Sequence, residues 1–113
     1  MAFNTETAQP ALLAVIEADR SDDVLTVEVA GDIDISSSPR FRTKILELLE
    51  TGPAAAVIDM TGVGFCDSSG LSGLLQLHRY CVESGIDLSI APSRVVRRAI
   101  ELTGLSSTLK LAG

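Results

Sequence analysis

Aromatic residues are scarce in this chain of 113 residues, which has three Phe and one Tyr. Its core must therefore be built from Leu, Ile, Val and Ala, and the apolar content of 46% is high enough for such a core. A chain of this length buries roughly two-thirds of its unfolded surface, so it can fold without disulfides. Its two cysteines, Cys66 and Cys81, are expected to be reduced thiols in that core.

Basic residues are also few, because 9 Lys and Arg stand against 15 Asp and Glu, a net charge of −6. Nucleic acids and anionic membranes are held mainly by basic side chains, so neither is an expected partner. No apolar run approaches the roughly 20 residues of a membrane helix. The first basic residue is Arg20, which leaves no charged start for a secretion signal, and a cytoplasmic location is expected.

Hydrophobic periodicity predicts an α/β fold with elements in the order β-β-α-β-α-β-α-β. The predicted strands lie at 12–18, 24–31, 54–60, 86–91 and 108–112, and the predicted helices at 38–51, 69–84 and 92–104. Residues 61–65 are expected to form a loop. An opening hairpin followed by right-handed crossovers implies a mixed sheet of about five strands with about three helices. Residues 1–11 are predicted to be a flexible N-terminal segment and residues 12–113 a single domain.

The stretch GFCDSSGLSGLL, residues 64–75, lies where a predicted strand ends and a helix begins, a common place for sites in α/β proteins. A serine hydrolase would use Ser68 in a G-x-S-x-G turn, but Cys66 stands where the first glycine belongs. The only histidine, His78, lies in the same predicted helix rather than near the end of the chain. The pattern therefore argues against a nucleophilic serine.

Two other chemistries fit this stretch poorly. A metal site would use Cys66, His78 and Cys81, but no fourth ligand has suitable spacing. A phosphate cradle would use the glycines at the helix start, but there is no G-K-[ST] and the nearest lysine is Lys44. Asp67 would also repel a free phosphate. No metal or cofactor is expected.

A purely structural role is the simplest alternative for these residues. Asp67, Ser68 and Ser69 are all good helix caps, and Gly70 would allow close approach to the strand. Capping accounts for the spacing. It does not explain why a polar cluster interrupts an otherwise apolar surface, so both interpretations stay open on the residues alone.

Three segments together resemble anti-sigma factor antagonists, the small STAS-domain proteins of bacterial sporulation and stress regulation. The central segment is VIDMTGVGFCDSSGLSGLL, residues 57–75, which has the family's pattern of strand, loop, aromatic and D-S-[ST]-G-L. GDIDISSS (31–38) is similar to the family's loop before its first helix, and RVVRRAIELTGL (94–105) to its last block. The resemblance covers residues 12–112, so it implies a STAS fold for nearly the whole chain.

The resemblance implies a binding protein rather than an enzyme. Family members bind an anti-sigma factor that is also a serine kinase with a GHKL-type ATP site, and thereby free the sigma factor. The kinase phosphorylates the first serine of D-S-S-G, here Ser68, and a PP2C-type phosphatase removes the phosphate. The positions that match the rest of the site are implied to surround Ser68 and contact the partner: Gly31, Asp32, Ile33, Asp34, Asp67, Ser69 and Gly70.

Several finer questions stay open in the sequence. Asp34 is expected to orient the Ser68 hydroxyl, or else to cap the helix that begins near 38. Ser69 is expected to hold the turn, with its own phosphorylation as the alternative. A monomer is predicted. The alternative function within the same fold is a scaffold or transport-complex subunit that acts through protein contacts without phosphorylation.

Overall fold

The computed structural model describes residues 12–112, and its strands and helices follow the predicted order. The strands are β1 (Ala14–Ser21), β2 (Val24–Ile33), β3 (Ala55–Cys66) and β4 (Asp87–Pro92), and the helices are α1 (Ser38–Leu49), α2 (Ser68–Ser84) and α3 (Arg94–Leu102). β1 is antiparallel to β2, and β3 runs parallel to both β2 and β4. The predicted α/β fold with a mixed sheet is confirmed. The predicted flexible segment, residues 1–11, lies outside the described residues.

A two-residue turn joins β1 to β2. Asp22 and Asp23 both have positive φ, 55° and 61°. This turn geometry matches the right-handed twist of paired strands, so it gives a tight hairpin. The connection left between the predicted strands 12–18 and 24–31 is therefore shorter in the structure, because β1 continues as far as Ser21.

The last predicted strand, residues 108–112, is wrong as a strand. The N–H groups of Thr108 and Leu109 donate to the carbonyl of Leu105 at 3.0 and 2.9 Å, which continues a short 3₁₀ turn at Leu105–Ser107. Few residues then remain for pairing. Within residues 12–112 an isolated parallel bridge joins Ile90 to Leu111, and the sheet has four strands instead of about five.

The loop predicted at residues 61–65 is also wrong, because β3 continues through it to Cys66. Its pairing with β2 passes two register shifts and ends with Asp32 opposite Phe65 and Ile33 opposite Cys66. Hydrophobic periodicity did not predict this extension, because Thr61, Gly62 and Gly64 interrupt the apolar pattern. As a result, the carboxyl ends of β2 and β3 lie side by side at one edge of the sheet, and the residues of the predicted site follow them.

The core lies between the sheet and the helices. α1 buries Phe41, Ile45 and Leu49, spaced as one helical face, and packs against α2. A β-carbon at Gly73 of α2 would lie 3.5 Å from the Phe41 ring, so the two helices approach closely. Alternate residues of the central strands complete the core: Leu25, Val27, Val29, Ala56, Ile58 and Met60.

Candidate functional site: paired loops at the carboxyl ends of β2 and β3

Two loops lie side by side where β2 and β3 end. The N–H of Asp67 donates to the carbonyl of Ile33 at 3.1 Å, which ties the two strand ends together. Each strand is followed by an aspartate, a short turn and a helix. Residues 34–37 are called the Asp34 loop below, and residues 67–70 the Asp67 loop. Segments more than thirty positions apart in the chain thus meet at one edge of the sheet.

The Asp34 loop is closed by its own aspartate. Oδ1 of Asp34 accepts from the N–H of Ser36 at 2.9 Å, from the Ser36 hydroxyl at 2.6 Å and from the N–H of Ser37 at 3.1 Å. The bonds from the hydroxyl and the N–H of Ser36 hold the pKa of Asp34 below its usual value. This carboxylate is therefore ionised at neutral pH.

The Asp67 loop has nearly the same hydrogen bonds. Oδ1 of Asp67 accepts from the N–H of Ser69 at 2.9 Å, from the Ser69 hydroxyl at 2.5 Å and from the N–H of Gly70 at 3.3 Å. Asp67 is in extended conformation and is the N-cap of α2. Asp67 therefore does the capping, and Ser69 holds the turn through its hydroxyl.

Ser68 differs from its neighbour in both exposure and bonding. It is the first residue of α2 and is exposed. Its hydroxyl forms no hydrogen bond with any group in residues 12–112. Of the two adjacent serines, Ser69 has its hydroxyl committed to Asp67, and Ser68 presents its hydroxyl to solvent.

Two glycines allow the chain to pass where no side chain fits. A β-carbon at Gly70 would lie 2.6 Å from Cys66 Sγ and 2.9 Å from Ile33 Cγ2, so α2 starts in contact with both strand ends. Gly31 has a φ of +100°, and a β-carbon there would overlap the carbonyl oxygen of Leu12. Ile33 itself is fully buried beneath the loops.

A hollow of about 230 Å³ opens beside the Asp34 loop and is lined by Leu12, Leu13, Asp32, Asp34, Ser36, Ser37 and Arg40. Its one cationic side chain, Arg40, donates from Nη2 to the carbonyl of Leu13 at 2.6 Å. The walls of the hollow thus hold two carboxylates and two hydroxyls. Over residues 12–112, no three His, Cys, Asp or Glu side chains come together as a metal site, and Cys66, His78 and Cys81 are no exception.

The carboxylate of Asp34 is committed to its own loop. Within residues 12–112 it accepts hydrogen bonds from Ser36 and Ser37, and no hydrogen bond joins it to Ser68. Asp34 thus holds the turn before α1, while the N-cap of α1 is Ser37, which makes no side-chain capping bond. The structure does bring Asp34 to the same edge of the sheet as Ser68, because the strands that precede them are paired.

The comparisons with known proteins agree with this architecture. Residues 15–112 match the family model of the STAS domain. This chain belongs to the STAS domain family. The anti-sigma-F factor antagonist RsfB of Mycobacterium tuberculosis is 31% identical to it over 102 residues, which cover 90% of this chain and 83% of RsfB. The resemblance stated from the three sequence segments is thereby confirmed.

Two solved structures show the same fold. A crystal structure of an anti-sigma factor antagonist from Mycobacterium paratuberculosis has a TM-score of 0.75 and 32% identity, covering 88% of this chain and 85% of that one. The Bacillus cell fate determinant SpoIIAA in its phosphorylated form has a TM-score of 0.64 at 19% identity, covering 90% and 92%. No helix in residues 12–112 of this STAS domain combines the length and the apolarity needed to span a bilayer.

Two exposed apolar residues of this STAS domain were not predicted to belong to the site. Gly31 to Ser36 and Gly64 to Ser69 share the pattern G-x-x-D-x-S. Ile35 therefore holds the position in the Asp34 loop that Ser68 holds in the Asp67 loop, and both side chains are exposed. Phe65, just before Cys66, is exposed as well. Aligning the two hexapeptides is the only sequence signal that marks Ile35.

Proposed function

We propose that this protein is an anti-sigma factor antagonist that binds an anti-sigma factor with serine kinase activity, and that phosphorylation of Ser68 switches it off. The observation that carries the proposal is the exposure of the Ser68 hydroxyl. Ser68 is exposed at the start of α2 with no hydrogen bond to its hydroxyl within residues 12–112, and the adjacent Ser69 is bonded to Asp67. A kinase that approaches this edge finds a single available acceptor.

The names of two related proteins support this function. RsfB is named as an antagonist of an anti-sigma factor, and SpoIIAA has a phosphorylated form. For this chain we infer a GHKL-type kinase as partner and a PP2C-type phosphatase that removes the phosphate. We infer that the protein acts in the cytoplasm as a monomer, without catalysing a reaction itself, and that it regulates transcription by releasing a sigma factor.

The site explains why a phosphate would act as a switch. A phosphoryl group adds about 1.5 to 2 negative charges at neutral pH. The N-terminus of α2 can accommodate such charge locally, since its free N–H groups favour anions. Asp67 lies directly beside it, and Asp34 lies on the neighbouring loop, so a partner meets a surface with much higher negative charge. Binding is expected to weaken by roughly 10- to 100-fold without refolding.

Mass spectrometry tests the assignment directly. The protein is incubated with Mg·ATP and the anti-sigma factor kinase encoded nearest to its gene. We expect a gain of about 80 daltons, the mass of one phosphoryl group, at Ser68. Ser68→Ala should abolish the gain. Ser69→Ala is the matched control and should retain it, because the capping by Asp67 also uses backbone N–H groups.

Two outcomes would count against the proposal. A gain that persists in Ser68→Ala would move the modification to another residue. No gain and no complex with any such kinase would favour the scaffold or transport-complex function. A binding measurement adds an independent test, in which Ser68→Asp should weaken the complex while its circular dichroism matches that of the wild type.

A further inference from the structure

Exposed large apolar side chains occur at several places in residues 12–112, and two of them lie at the edge of the sheet that carries the Asp34 and Asp67 loops. Ile35 is 80% exposed and Phe65 is 48% exposed, and both are large. Single exposed hydrophobic residues are common on protein surfaces and need no explanation. Ile35 lies in the Asp34 loop and Phe65 at the end of β3, so both lie at the edge of the sheet where β2 and β3 end.

The fold holds Ile35 outward. The N–H groups of Ser37 and Ser38 donate to the carbonyl of Asp34 at 3.1 and 2.8 Å, and the Asp34 side chain accepts from the same turn. These bonds close the turn around Ile35 on both sides. Because Ser68 has the equivalent place in the other loop, the two residues project from equivalent points of two similar turns.

The pleat of β3 holds Phe65 outward in the same way. Side chains of a strand alternate between faces, and the buried Cys66 takes the side toward the core. Phe65 therefore lies on the opposite face, paired in register with Asp32. A β-carbon at Gly64 would come 3.6 Å from Oδ1 of Asp32, which places that carboxylate against the same stretch of β3.

Carboxylates outnumber cations around the two apolar residues. Asp32, Asp34 and Asp67 lie at this edge, and the hollow beside Ile35 contains two of these carboxylates. The cation in its lining, Arg40, donates to a backbone carbonyl. A surface with apolar side chains among carboxylates is complementary to an apolar pocket edged by lysine or arginine.

We propose that Ile35 and Phe65 are the apolar anchors by which this protein docks on its anti-sigma factor, and that the docking face of that partner is an apolar pocket edged by basic side chains. This inference rests on the proposed function and specifies its partner surface. Ile35 lies on the loop next to the one that carries Ser68, so docking and phosphorylation would use the same edge of the sheet. Apolar anchors dominate the lifetime of a complex, while surrounding charges act mainly on its rate of formation.

Binding measurements with matched variants test the anchors. All variants carry Ser68→Ala, so that the kinase cannot modify them in Mg·ATP, and the probe is the anti-sigma factor kinase encoded nearest to the gene. Ile35→Ala and Phe65→Ala are compared with Val82→Ala and Leu102→Ala, whose side chains are 66% and 74% exposed on α2 and α3. Urea unfolding of each variant checks that the fold is retained.

We expect each anchor variant to lose at least about tenfold in affinity, chiefly through faster dissociation. The two control variants should stay within about twofold of the parent. Raising the salt concentration should slow association for the parent and for the anchor variants alike, because the carboxylates remain in all of them.

The possible failures are distinguishable. If the Ser68→Ala parent binds and the anchor variants match the controls, the anchors are wrong while the proposed function stands. If association is insensitive to salt, the basic edge of the partner is wrong. If the wild type is neither bound nor phosphorylated by the kinase, the proposed function and the anchors are both overturned.

Discussion

The Asp34 loop and the Asp67 loop are built alike but present different chemistry. In both, one carboxylate oxygen accepts from the N–H groups two and three residues later and from a serine hydroxyl two residues later. In both, the residue directly after the aspartate is exposed. That residue is Ile35 in one loop and Ser68 in the other. A shared turn thus displays an apolar side chain at one point and a free hydroxyl at the next.

The loops differ most at the third position after the aspartate. Ser37 in the Asp34 loop has room for its side chain, and its hydroxyl donates to the carbonyl of Asp32 at 3.1 Å. Gly70 in the Asp67 loop is buried against Cys66 and Ile33. At this position the Asp67 loop therefore packs directly against the strand ends, whereas the Asp34 loop leaves space for a side chain. The position of Ser68 is therefore set by packing as well as by the aspartate.

The largest expected effect comes from replacing Gly70 by serine, the residue that the Asp34 loop has at the equivalent position 37. Gly70→Ser places a β-carbon 2.6 Å from Cys66 Sγ, and such overpacking typically costs about 1–3 kcal/mol of unfolding free energy. We expect a loss near the top of that range in urea unfolding. Gly73→Ala, in the same helix but at 3.5 Å from Phe41, should change stability by less than about 1 kcal/mol. Equal effects at the two glycines would contradict the proposed packing difference.

A smaller effect is expected from removing the cap itself. Asp67→Ala should lower the unfolding free energy by about 1 kcal/mol, since two backbone N–H groups lose their acceptor. Asp67→Asn keeps an oxygen at that place and should stay close to the wild type. Asp34→Ala is the matched change in the other loop and is expected to destabilise in the same direction. A neutral Asp67→Ala would mean that packing at Gly70 alone holds the loop.

Acidification should test the hydrogen bonds that Asp34 accepts in its loop. Hydrogen bonds from Ser36 lower the pKa of Asp34 from its usual 3.8 in the folded protein. A carboxyl with a lowered folded pKa contributes stability that is complete above its unfolded pKa and is lost as the pH falls through its folded pKa. The stability difference between the wild type and Asp34→Asn should thus be constant at neutral pH and shrink below 3.8. Urea unfolding across this range measures it, and a difference that does not change with pH would contradict the assignment.

The smallest expected effect concerns the thiol beneath the Asp67 loop. Burial, with a lesser contribution from the charge of Asp67, raises the pKa of Cys66 to about 11, and burial does the same for Cys81. Both thiols should react slowly with Ellman's reagent in the native protein near pH 8, because thiolate is scarce. Single-thiol variants, Cys66→Ser and Cys81→Ser, separate the two rates. Much faster labelling of Cys66 would show that the Asp67 loop opens locally.

The sequence predicted the fold closely where periodicity was strong. The helical stripes of α1 and α2 and the Val-rich β2 stood out because each follows one repeat for several turns or residues. The extension of β3 to Cys66 could not be read in the same way. Its residues Gly62 and Gly64 have weak strand preference, and this stretch becomes strand only because β2 offers pairing partners. The opposite happened at 108–112, where a local 3₁₀ turn removed residues from pairing.

In the candidate site, too, the local features could be predicted from the sequence, and the features that depend on strand pairing could not. The hydrogen bonds of each aspartate reach only two or three residues, so the sequence by itself determined that both strands end in a closed turn followed by a helix. The bond from Ser69 to Asp67 is one of these local contacts, in agreement with the expectation that Ser69 holds the turn, whereas the position of the exposed Ser68 also depends on the packing of α2 against the strand ends. Tertiary structure alone brought Ile35 and Phe65 to one edge, because strand register joins residues some thirty positions apart and no local pattern encodes it.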